Sequence, residues 1–332
     1  MADRVVIVGL RRGGSLIKAS ELRQMMGRAG REHGEGAVVE LIVDSSDEGA
    51  VDEMLGDGAT MVESSLSNPD MLAMALMPEI DRGKVFDRAS AEEWCSRSFC
   101  PSPPVGGALE LLREVQAVAQ KEGRMEATPV GSCAAKLYFH PADVHAWWRN
   151  FSEVFELGLE GHEMAPAWAL GNIPFDRVVG DLGKRRGLAT ECRERLPFGL
   201  DVMEGSLINV LSWWYLTGGP SPGAIRPACL ERRRGFGRHR AALDLLNRAA
   251  GWGMEDFFDE LELRVRKGIT PDLVPLCRHE GISKARASYL KGLGVTSVDG
   301  LASLVGRLDE EIDDDFRETI ERIARRCGAK GD

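Results

Sequence analysis

The stretch QMMGRAGR, residues 24–31, is the basic segment around which the rest of the chain is interpreted. On a helix, Gln24, Arg28 and Arg31 share one face over roughly two turns, about 10 Å. Two planar, permanently charged guanidiniums beside a carboxamide suit a polyphosphate better than a single carboxylate partner. A solvated arginine face at a helix end is the alternative, and spacing alone does not decide between the two.

An apolar run lies on each side of the helix predicted for this stretch. Residues 4–10 (RVVIVGL) and 37–43 (AVVELIV) are rich in β-branched side chains, which predicts the order strand, helix, strand. Ser20 is the predicted N-cap of the helix, and Glu21 places a negative charge at its positive end. Both runs are too hydrophobic for surface strands. A parallel sheet covered on both faces is therefore expected, with its remaining strands absent from this sequence.

Length and composition favour a folded protein of two or three domains. The chain has 332 residues, of which 43% are hydrophobic, and it has no apolar run near the length of about 18 residues that suggests a membrane span. No signal-peptide pattern is present, so a soluble protein of the cytoplasm without a membrane partner is expected. The seven cysteines include no C-x-x-C pair, which indicates reduced thiols. The spacing of Cys and His fits no standard zinc pattern, so no metal site is predicted.

Charge is unevenly distributed along the chain. The formal net charge of -10 disfavours nucleic acid as a partner, but residues 226–240 contain six arginines, one histidine and one acidic residue. In contrast, six of the seven residues from 309 to 315 are acidic. A local basic surface on an acidic protein is expected.

The segment 48–140 predicts helices separated by breakers. One helical pattern ends at Pro78, and a second begins with a capping box in which Ser90 is followed by Glu93. A third helical pattern covers residues 107–122.

The arginine-rich segment is the principal candidate for binding nucleic acid. Residues 231–250 can form one long helix, with Arg234 and Arg238 along one side and apolar residues along the other. Closely spaced guanidiniums on one surface can follow a phosphate backbone or stack on bases. A solvated basic face is the alternative.

A second candidate lies nearer the C-terminus. The segments 261–269 (LELRVRKGI) and 280–288 (EGISKARAS) predict short helices joined by a tight turn, the pattern of a helix-hairpin-helix. Gly281, Lys284 and Arg286 belong to this pattern. Its turn amides and helix N-terminus can hold a DNA phosphate without reading the base sequence.

Three motifs, in their order along the chain, resemble those of archaeal-type superfamily-two DNA-repair helicases related to HELQ and to the helicase half of DNA polymerase theta. Residues 24–31 resemble motif VI, Q-x-x-G-R-x-G-R. Residues 127–131 (ATPVG) resemble the end of the family's winged helix, and residues 261–269 resemble the entry to its helix-hairpin-helix. In that family the motif VI arginines reach the γ-phosphate of ATP, which implies a catalytic role for Arg28 and Arg31.

The resemblance also implies an architecture and a cofactor. The fold would be mainly α, with an incomplete α/β fragment of a RecA-like motor lobe followed by a winged helix, a helical ratchet bundle and a helix-hairpin-helix. The implied domains are 1–47 (end of the second motor lobe), 48–140 (linker and winged helix), 141–268 (ratchet domain) and 269–332 (helix-hairpin-helix and acidic tail). The implied cofactor is ATP with Mg²⁺, and the residues implied to contact the nucleotide are Gln24, Gly27, Arg28 and Arg31.

The implied activity is that of the C-terminal part of a 3′-to-5′ helicase acting on single-stranded or forked DNA. The sequence contains neither a phosphate loop ending Gly-Lys-Ser/Thr nor the acidic magnesium-binding motif. ATP and Mg²⁺ are therefore expected only in a motor completed by a partner chain or a missing segment, and no ATPase activity is expected of the chain alone. The alternatives are a stand-alone DNA-binding or regulatory protein derived from such a helicase, and an interaction scaffold.

The family resemblance implies that the long ratchet helix contains the residues that stack on bases. Family members stack an arginine and a tryptophan on the translocating strand, but residues 231–250 contain no tryptophan. Phe236 or His239 is expected to take that place. The hairpin also departs from the family, because SKARAS at 283–288 stands where Gly-Arg-Val-Arg-Ala-Arg is usual. A weaker phosphate contact is expected there.

Overall fold

The structure is a computed structural model that describes residues 4–12, 15–29, 38–56, 64–178, 180, 182–183, 186–302 and 314–328. In these ranges the protein is mainly helical, as predicted, with small two-stranded sheets. The strands are β1 (Arg4–Val8), β2 (Arg11–Arg12), β3 (Ser15–Leu16), β4 (Val38–Ile42), β5 (Val118–Lys121) and β6 (Arg124–Ala127). The helices are α1 (Ala19–Met26), α2 (Glu48–Gly56), α3 (Pro69–Asp81), α4 (Arg88–Ser96), α5 (Val105–Glu114), α6 (Pro129–Leu137), α7 (Pro141–Glu156), α8 (Ala165–Gly171), α9 (Gly187–Arg195), α10 (Leu207–Leu216), α11 (Arg226–Arg234), α12 (Phe236–Ala250), α13 (Glu255–Lys267), α14 (Val274–Cys277), α15 (Lys284–Gly292), α16 (Val298–Ala302) and α17 (Asp314–Gly328). The chain divides into two units, Met1–Ser67 and Asn68–Asp332. None of the described helices has the length and apolar composition needed to cross a membrane.

In the first unit, β1 and β4 flank α1 in the sequence and pair in parallel, with Val8 opposite Ile42. This confirms the predicted order strand, helix, strand. Successive side chains of a strand point to opposite faces of the sheet. Ile7 belongs to a small buried cluster together with Leu22 of α1 and Val51 of α2. One face of the sheet is therefore covered by helices.

The other face of this sheet is exposed, so the prediction that both faces are covered is wrong for the described residues. Val6, Val8, Val38 and Ile42 are 46%, 75%, 53% and 55% exposed. The helices described in this unit form a core on one side only. An exposed apolar sheet face with open strand edges favours association with another chain.

Replacing Val8 and Ile42 by Thr is expected to weaken concentration-dependent self-association. Both changes keep a β-branched side chain while reducing the apolar area of the exposed face. Light scattering over a concentration series measures the effect. Leu157→Thr, at a position 53% exposed in the second unit, is the control and should leave association unchanged. An unaltered chain that remains monomeric at high concentration would contradict the prediction.

The starts of two helices differ from the prediction. α1 begins after Lys18, which occupies the N-cap position, so Ser20 lies inside the helix rather than at its cap. α4 is capped by Asp87, whose carboxylate accepts the backbone N–H of Ser90 at 2.7 Å. Ser90 is therefore the third helical residue. Both helices therefore begin earlier than the candidate capping residues suggest. Asp87 supplies the cap of α4, whereas at α1 the Glu21 carboxylate accepts the backbone N–H of Lys18 at 3.2 Å.

Two predicted helix ends also differ. α3 continues through Pro78, which lies in its last turn, where the missing N–H costs a single backbone hydrogen bond. The pattern over 107–122 is helical only as far as Glu114. Gln116 then adopts a left-handed backbone with φ of 52°, and the chain continues into the antiparallel hairpin of β5 and β6.

The core of the second unit contains closely packed helices and buried tryptophans. Trp147 of α7 is fully buried, as are Trp213 and Trp214 of α10. α10 packs against α8, where a Cβ on Gly171 would lie 2.6 Å from the Cα of Val210. The two helices can approach this closely only because position 171 has no side chain. This packing positions α10, which carries polar residues of the candidate site.

Candidate nucleic-acid interface

The motif VI residues lie at the end of α1. Gln24 is exposed on the helix, Gly27 follows its last residue, and Arg28 is exposed in the succeeding turn. The helix ends before Arg28, so the prediction of a shared helical face is wrong there. Arg31 lies outside the described residues. Exposed Gln24 and Arg28 side chains remain compatible with contact to an anion, although within the described residues the helix does not extend to Arg28.

The arginine-rich segment forms two helices instead of the predicted single one. α11 ends at Arg234 and α12 begins at Phe236. Gly235 separates them, and Gly237 follows in the first turn of α12. Two glycines so close together lower the helical propensity of the chain, because each loses more backbone entropy in a helix than other residues do.

Arg232 is the most deeply placed cation of this segment. Its side chain is 8% exposed, and its Nη1 donates to Asn209 Oδ1 and, at 3.2 Å, to Ser212 Oγ of α10. Its Nη2 donates to the carbonyl oxygen of Asp176 at 2.7 Å and lies 3.3 Å from Asp176 Oδ1. The guanidinium is also 5.2 Å from the ring centre of Trp213. Arg232 therefore joins the helices internally and does not present its charge to solvent.

Arg240 is also neutralised within the protein. Its guanidinium forms ion pairs with Asp244 of α12 and with Asp259 of α13, the latter at 2.5 Å. Glu262 lies 3.6 Å away. Three acidic side chains around one arginine leave little positive charge for an external phosphate.

The basic surface that remains consists of few residues. Arg226 Nε donates to Tyr215 Oη at 3.1 Å, and the guanidinium of Arg233 lies 5.9 Å from the same ring. Arg234 and Arg238 are exposed, and within the described ranges neither forms an ion pair. Arg234 and Arg238, both predicted as DNA contacts, are thus exposed at the junction of α11 and α12 without an ion pair among the described residues, and Arg238 lies over the ring of Phe139.

Phe236 and His239 do not fit the base-stacking role expected for them. They are only 4% and 5% exposed. Phe236 packs edge to face against Trp213 at 5.8 Å, and His239 lies 5.1 Å from Trp213 and 5.0 Å from Phe139. Both belong to the inward stripe of α12 that also contains Leu243. Their spacing of three and four residues places Phe236, His239 and Leu243 on the same side of α12, and the packing against Trp213 and Phe139 makes that side the buried one.

A charged network links Arg232 and His239 through Asp176. His239 Nε2 lies 3.9 Å from Asp176 Oδ2. The imidazole and the Arg232 guanidinium lower the pKa of Asp176 to about 2. Burial lowers the pKa of His239 itself. At neutral pH the network therefore contains an ionised carboxylate, the guanidinium and a neutral imidazole.

Asp143 of α7 fixes the turn that contains Phe175 and Asp176. Its Oδ1 and Oδ2 accept the backbone N–H groups of Phe175 and Asp176, each at 2.8 Å. Burial raises the pKa of Asp143 to about 6, while the two N–H groups act in the opposite direction. The side chain is thus a structural anchor for the residues next to the basic surface.

The helix-hairpin-helix candidates are engaged in local contacts. Lys284 Nζ donates to the carbonyl oxygen of Gly268 at 2.6 Å. Arg286 donates to the carbonyl oxygen of Gly281 at 2.9 Å and pairs with Asp315 at 2.8 Å. Gly281 has a φ of 88°, as the tight turn before α15 requires. The two cations are therefore poorly placed to neutralise a DNA phosphate without breaking these contacts.

Sequence reasoning missed the role of Arg264, within the segment 261–269. Arg264 is 2% exposed, and its Nη2 donates to the carbonyl oxygens of Glu163 and Thr217 at 3.3 and 3.4 Å. Burial lowers its pKa to about 10. Arg264 therefore connects α13 to two loops of the second unit, and these contacts account for an arginine at this position of the motif.

A groove runs beside Arg238. One cavity of about 410 Å³ meets a second of about 680 Å³, and both are lined by Asp176 and Arg238. We call the first cavity the Arg238 groove; its aromatic and basic lining residues are Tyr138, Phe139, His140, Phe175 and Arg238. The sequence does not mark Tyr138 and Phe175 as site residues, because ring exposure depends on how the helices pack. Tyr138 is 72% and Phe175 44% exposed.

In the part of the chain that the structure describes, no group of three or more His, Cys, Asp and Glu side chains is arranged to hold a metal ion. What the site offers is the exposed guanidinium of Arg238 in a groove with aromatic walls, and a second exposed guanidinium, that of Arg234, four residues earlier in the chain. No protein-family model matches this chain, and no curated protein matches its sequence.

Proposed function

We propose that this chain is the C-terminal, DNA-binding part of an ATP-dependent 3′-to-5′ helicase that acts on single-stranded or forked DNA in repair or replication. The observation that carries the proposal is exposed Arg238 in the lining of a groove with aromatic walls, with a second exposed arginine, Arg234, four residues earlier in the chain. Guanidiniums next to aromatic rings are the combination that binds a single strand without reading its sequence.

The arrangement of elements supports the wider proposal. In the first unit, β1, α1 and β4 form a parallel strand-helix-strand unit, which a RecA-like lobe requires. In the second unit, α4 and α5 precede the β5–β6 hairpin, an order compatible with a winged helix. The helices from α7 to α13 would form the ratchet domain, and those from α14 to α17 the helix-hairpin-helix region.

ATP and Mg²⁺ would be bound only in a completed motor. Gln24 and Arg28 are exposed and can contact the terminal phosphate, but this sequence has no phosphate loop to hold the rest of the nucleotide. The catalytic contribution of the chain would be charge stabilisation by Arg28 and Arg31. A partner chain or a missing segment would supply the phosphate loop and the magnesium ligands.

Replacing Arg234 and Arg238 together by Ala is expected to weaken DNA binding and to reduce its salt dependence. Each phosphate neutralised on a single strand contributes about 0.7 to the slope of log affinity against log salt concentration, so the slope should fall by up to about 1.4. Fluorescence anisotropy with labelled single-stranded and forked DNA, titrated at several salt concentrations, measures both effects.

The matched control is the pair Arg88→Ala and Arg97→Ala. These side chains, at the first residue of α4 and directly after its last, are 70% and 73% exposed, and their loss changes the net charge by the same amount. Equal slopes for the two double variants would place the DNA elsewhere. No measurable binding of the unaltered chain to any DNA at low salt would reject the DNA-binding function and favour an interaction scaffold.

A further inference from the structure

Tyr138 has an unusual backbone at the edge of the Arg238 groove. It follows the last residue of α6 with φ of 56° and ψ of 38°, in the left-handed region. Residues other than glycine adopt this region rarely, because the Cβ meets the neighbouring carbonyl oxygen. A glycine would terminate α6 without strain. Burial does not account for a tyrosine here either, since the residue is 72% exposed.

Phe175 presents a second aromatic ring in the same groove. It stacks on His140 with ring centres 3.5 Å apart and an angle of 17° between planes. Its backbone N–H is held by Asp143 at 2.8 Å. The ring is therefore fixed from two sides, yet Phe175 is 44% exposed. A rigid ring that already forms one stacking pair can extend the stack with little loss of conformational entropy.

The polar groups of the groove suit a base better than a phosphate. The side chains of Asp70 and Asp176 are 32% and 46% exposed, and both line the groove. Two carboxylates repel a phosphate. His140 Nε2 is buried without a hydrogen-bond partner among the described residues, and the pKa of His140 is lowered by burial to about 4. The exposed carboxylate oxygens can accept hydrogen bonds from the amino groups at the polar edge of a base.

The cation at the rim completes the arrangement. Arg238 lies over Phe139, with Cζ 4.0 Å from the ring centre, and lines the groove together with Tyr138 and Phe175. The stacked position restricts the guanidinium while leaving it exposed. A single strand bound with its phosphates near Arg238 and its bases inside the groove would have its backbone and its bases on defined sides of the site.

We propose that Tyr138 and Phe175 are the surfaces on which bases of a single strand stack, in place of the buried Phe236 and His239. This inference rests on the proposed DNA-binding function and adds the residues that contact the bases. The ligand it specifies is an unpaired strand, because a paired base has both faces covered by its neighbours in the duplex.

Tyr138→Gly separates stacking from folding. Glycine adopts the observed backbone without strain, so the variant should unfold at the same or a higher temperature than the unaltered chain. Its affinity for a labelled single-stranded oligonucleotide of mixed sequence should fall about 5- to 150-fold, the range expected for loss of one base–aromatic stack. The slope of log affinity against log salt should not change. Tyr138→Phe should retain the affinity.

Phe175→Leu tests the second ring. Leucine keeps an apolar side chain beside His140 but cannot stack on a base, so a comparable loss of affinity with an unchanged salt slope is expected. An oligonucleotide of the same length with abasic sites supplies a matched probe. The unaltered chain should bind it more weakly than the intact strand, and the difference should shrink in Tyr138→Gly and in Phe175→Leu.

The outcomes distinguish this inference from the function on which it rests. If the unaltered chain binds the single strand and both variants bind it equally well, the stacking residues are elsewhere and the inference is overturned while the proposed function stands. If the unaltered chain binds no DNA at low salt, the proposed function fails, and the inference fails with it.

Discussion

Arg232→Ala is expected to lower the free energy of unfolding of the second unit by about 3 kcal/mol or more. Removal of one partner from a buried ion pair typically costs about 3 to 5 kcal/mol, because the remaining groups lose their compensation. Here the lost guanidinium also leaves Asn209 and Ser212 without the donor they share. Chemical denaturation followed by tryptophan fluorescence measures the effect, since the seven tryptophans all lie in the second unit.

Arg234→Ala is the matched control for this prediction. Arg234 lies two positions further along α11 but is exposed, and such surface changes usually alter stability by less than about 0.5 kcal/mol. If the two variants lose similar stability, Arg232 does not have the structural role inferred from its contacts. If only Arg232→Ala is destabilised, Arg232 holds the packed helices together while Arg234 does not contribute to the stability of the fold.

Arg232→Ala should also change how the free energy of unfolding depends on pH. The pKa of Asp176 is lowered to about 2, below its ordinary value of 3.8. Its ionised form therefore stabilises the fold above the ordinary pKa, and this contribution disappears as pH falls from about 4 to about 2. Loss of the Arg232 charge should reduce that acid-dependent loss. Asp143 acts in the opposite sense, because burial raises its pKa from 3.8 to about 6. The fold favours its protonated form, so the contribution of Asp143 to stability falls as pH rises from about 4 to about 6.

Gly171→Ala is expected to destabilise the second unit by about 1 to 3 kcal/mol, the usual cost of overpacking a core. The added Cβ would lie 2.6 Å from the Cα and 2.7 Å from the backbone N of Val210. Backbone atoms cannot move aside as a side-chain end can, so α8 and α10 must separate. Denaturation followed by tryptophan fluorescence again gives the measurement.

Gly106→Ala provides the comparison for the glycine substitution. Gly106 lies in α5, and a Cβ at this position would have no atom within 4 Å. Alanine should stabilise the helix by about 0.5 to 1 kcal/mol, because it restricts the unfolded chain more than glycine does. Equal effects at positions 171 and 106 would show that close helix packing is not the reason for glycine at 171. α10 carries Asn209 and Ser212, so movement of this helix should also disturb Arg232.

Several features of this protein could be predicted from local sequence. The β-branched runs identify β1 and β4, and apolar periodicity identifies several of the helices, because both signals depend on residues within one element. Helix boundaries were less predictable. Asp87 and Ser90 can each cap a helix, and only the folded backbone decides which of them does.

The candidate site depended on tertiary structure. The cluster at residues 226–240 predicts a basic surface, but Arg232 and Arg240 have acidic partners that are distant in sequence: Asp176 is 56 residues from Arg232, and Asp259 is 19 residues from Arg240. Only Asp244, four residues after Arg240, is a local partner, so no local pattern reveals that Arg232 is neutralised inside the protein. Arg234 and Arg238 are left exposed by the same packing.

The aromatic residues show the same difference between what the sequence determines and what the tertiary structure decides. By itself, the sequence determined that the protein is mainly α, that its N-terminal region contains a strand-helix-strand unit, and that its cations are concentrated between 226 and 240. Only the tertiary structure decided that Phe236 and His239 are buried while Tyr138 and Phe175 are exposed. The physical reason is that an aromatic ring gains free energy by burial wherever neighbouring helices can cover it, and which rings are covered depends on contacts between residues far apart in the chain.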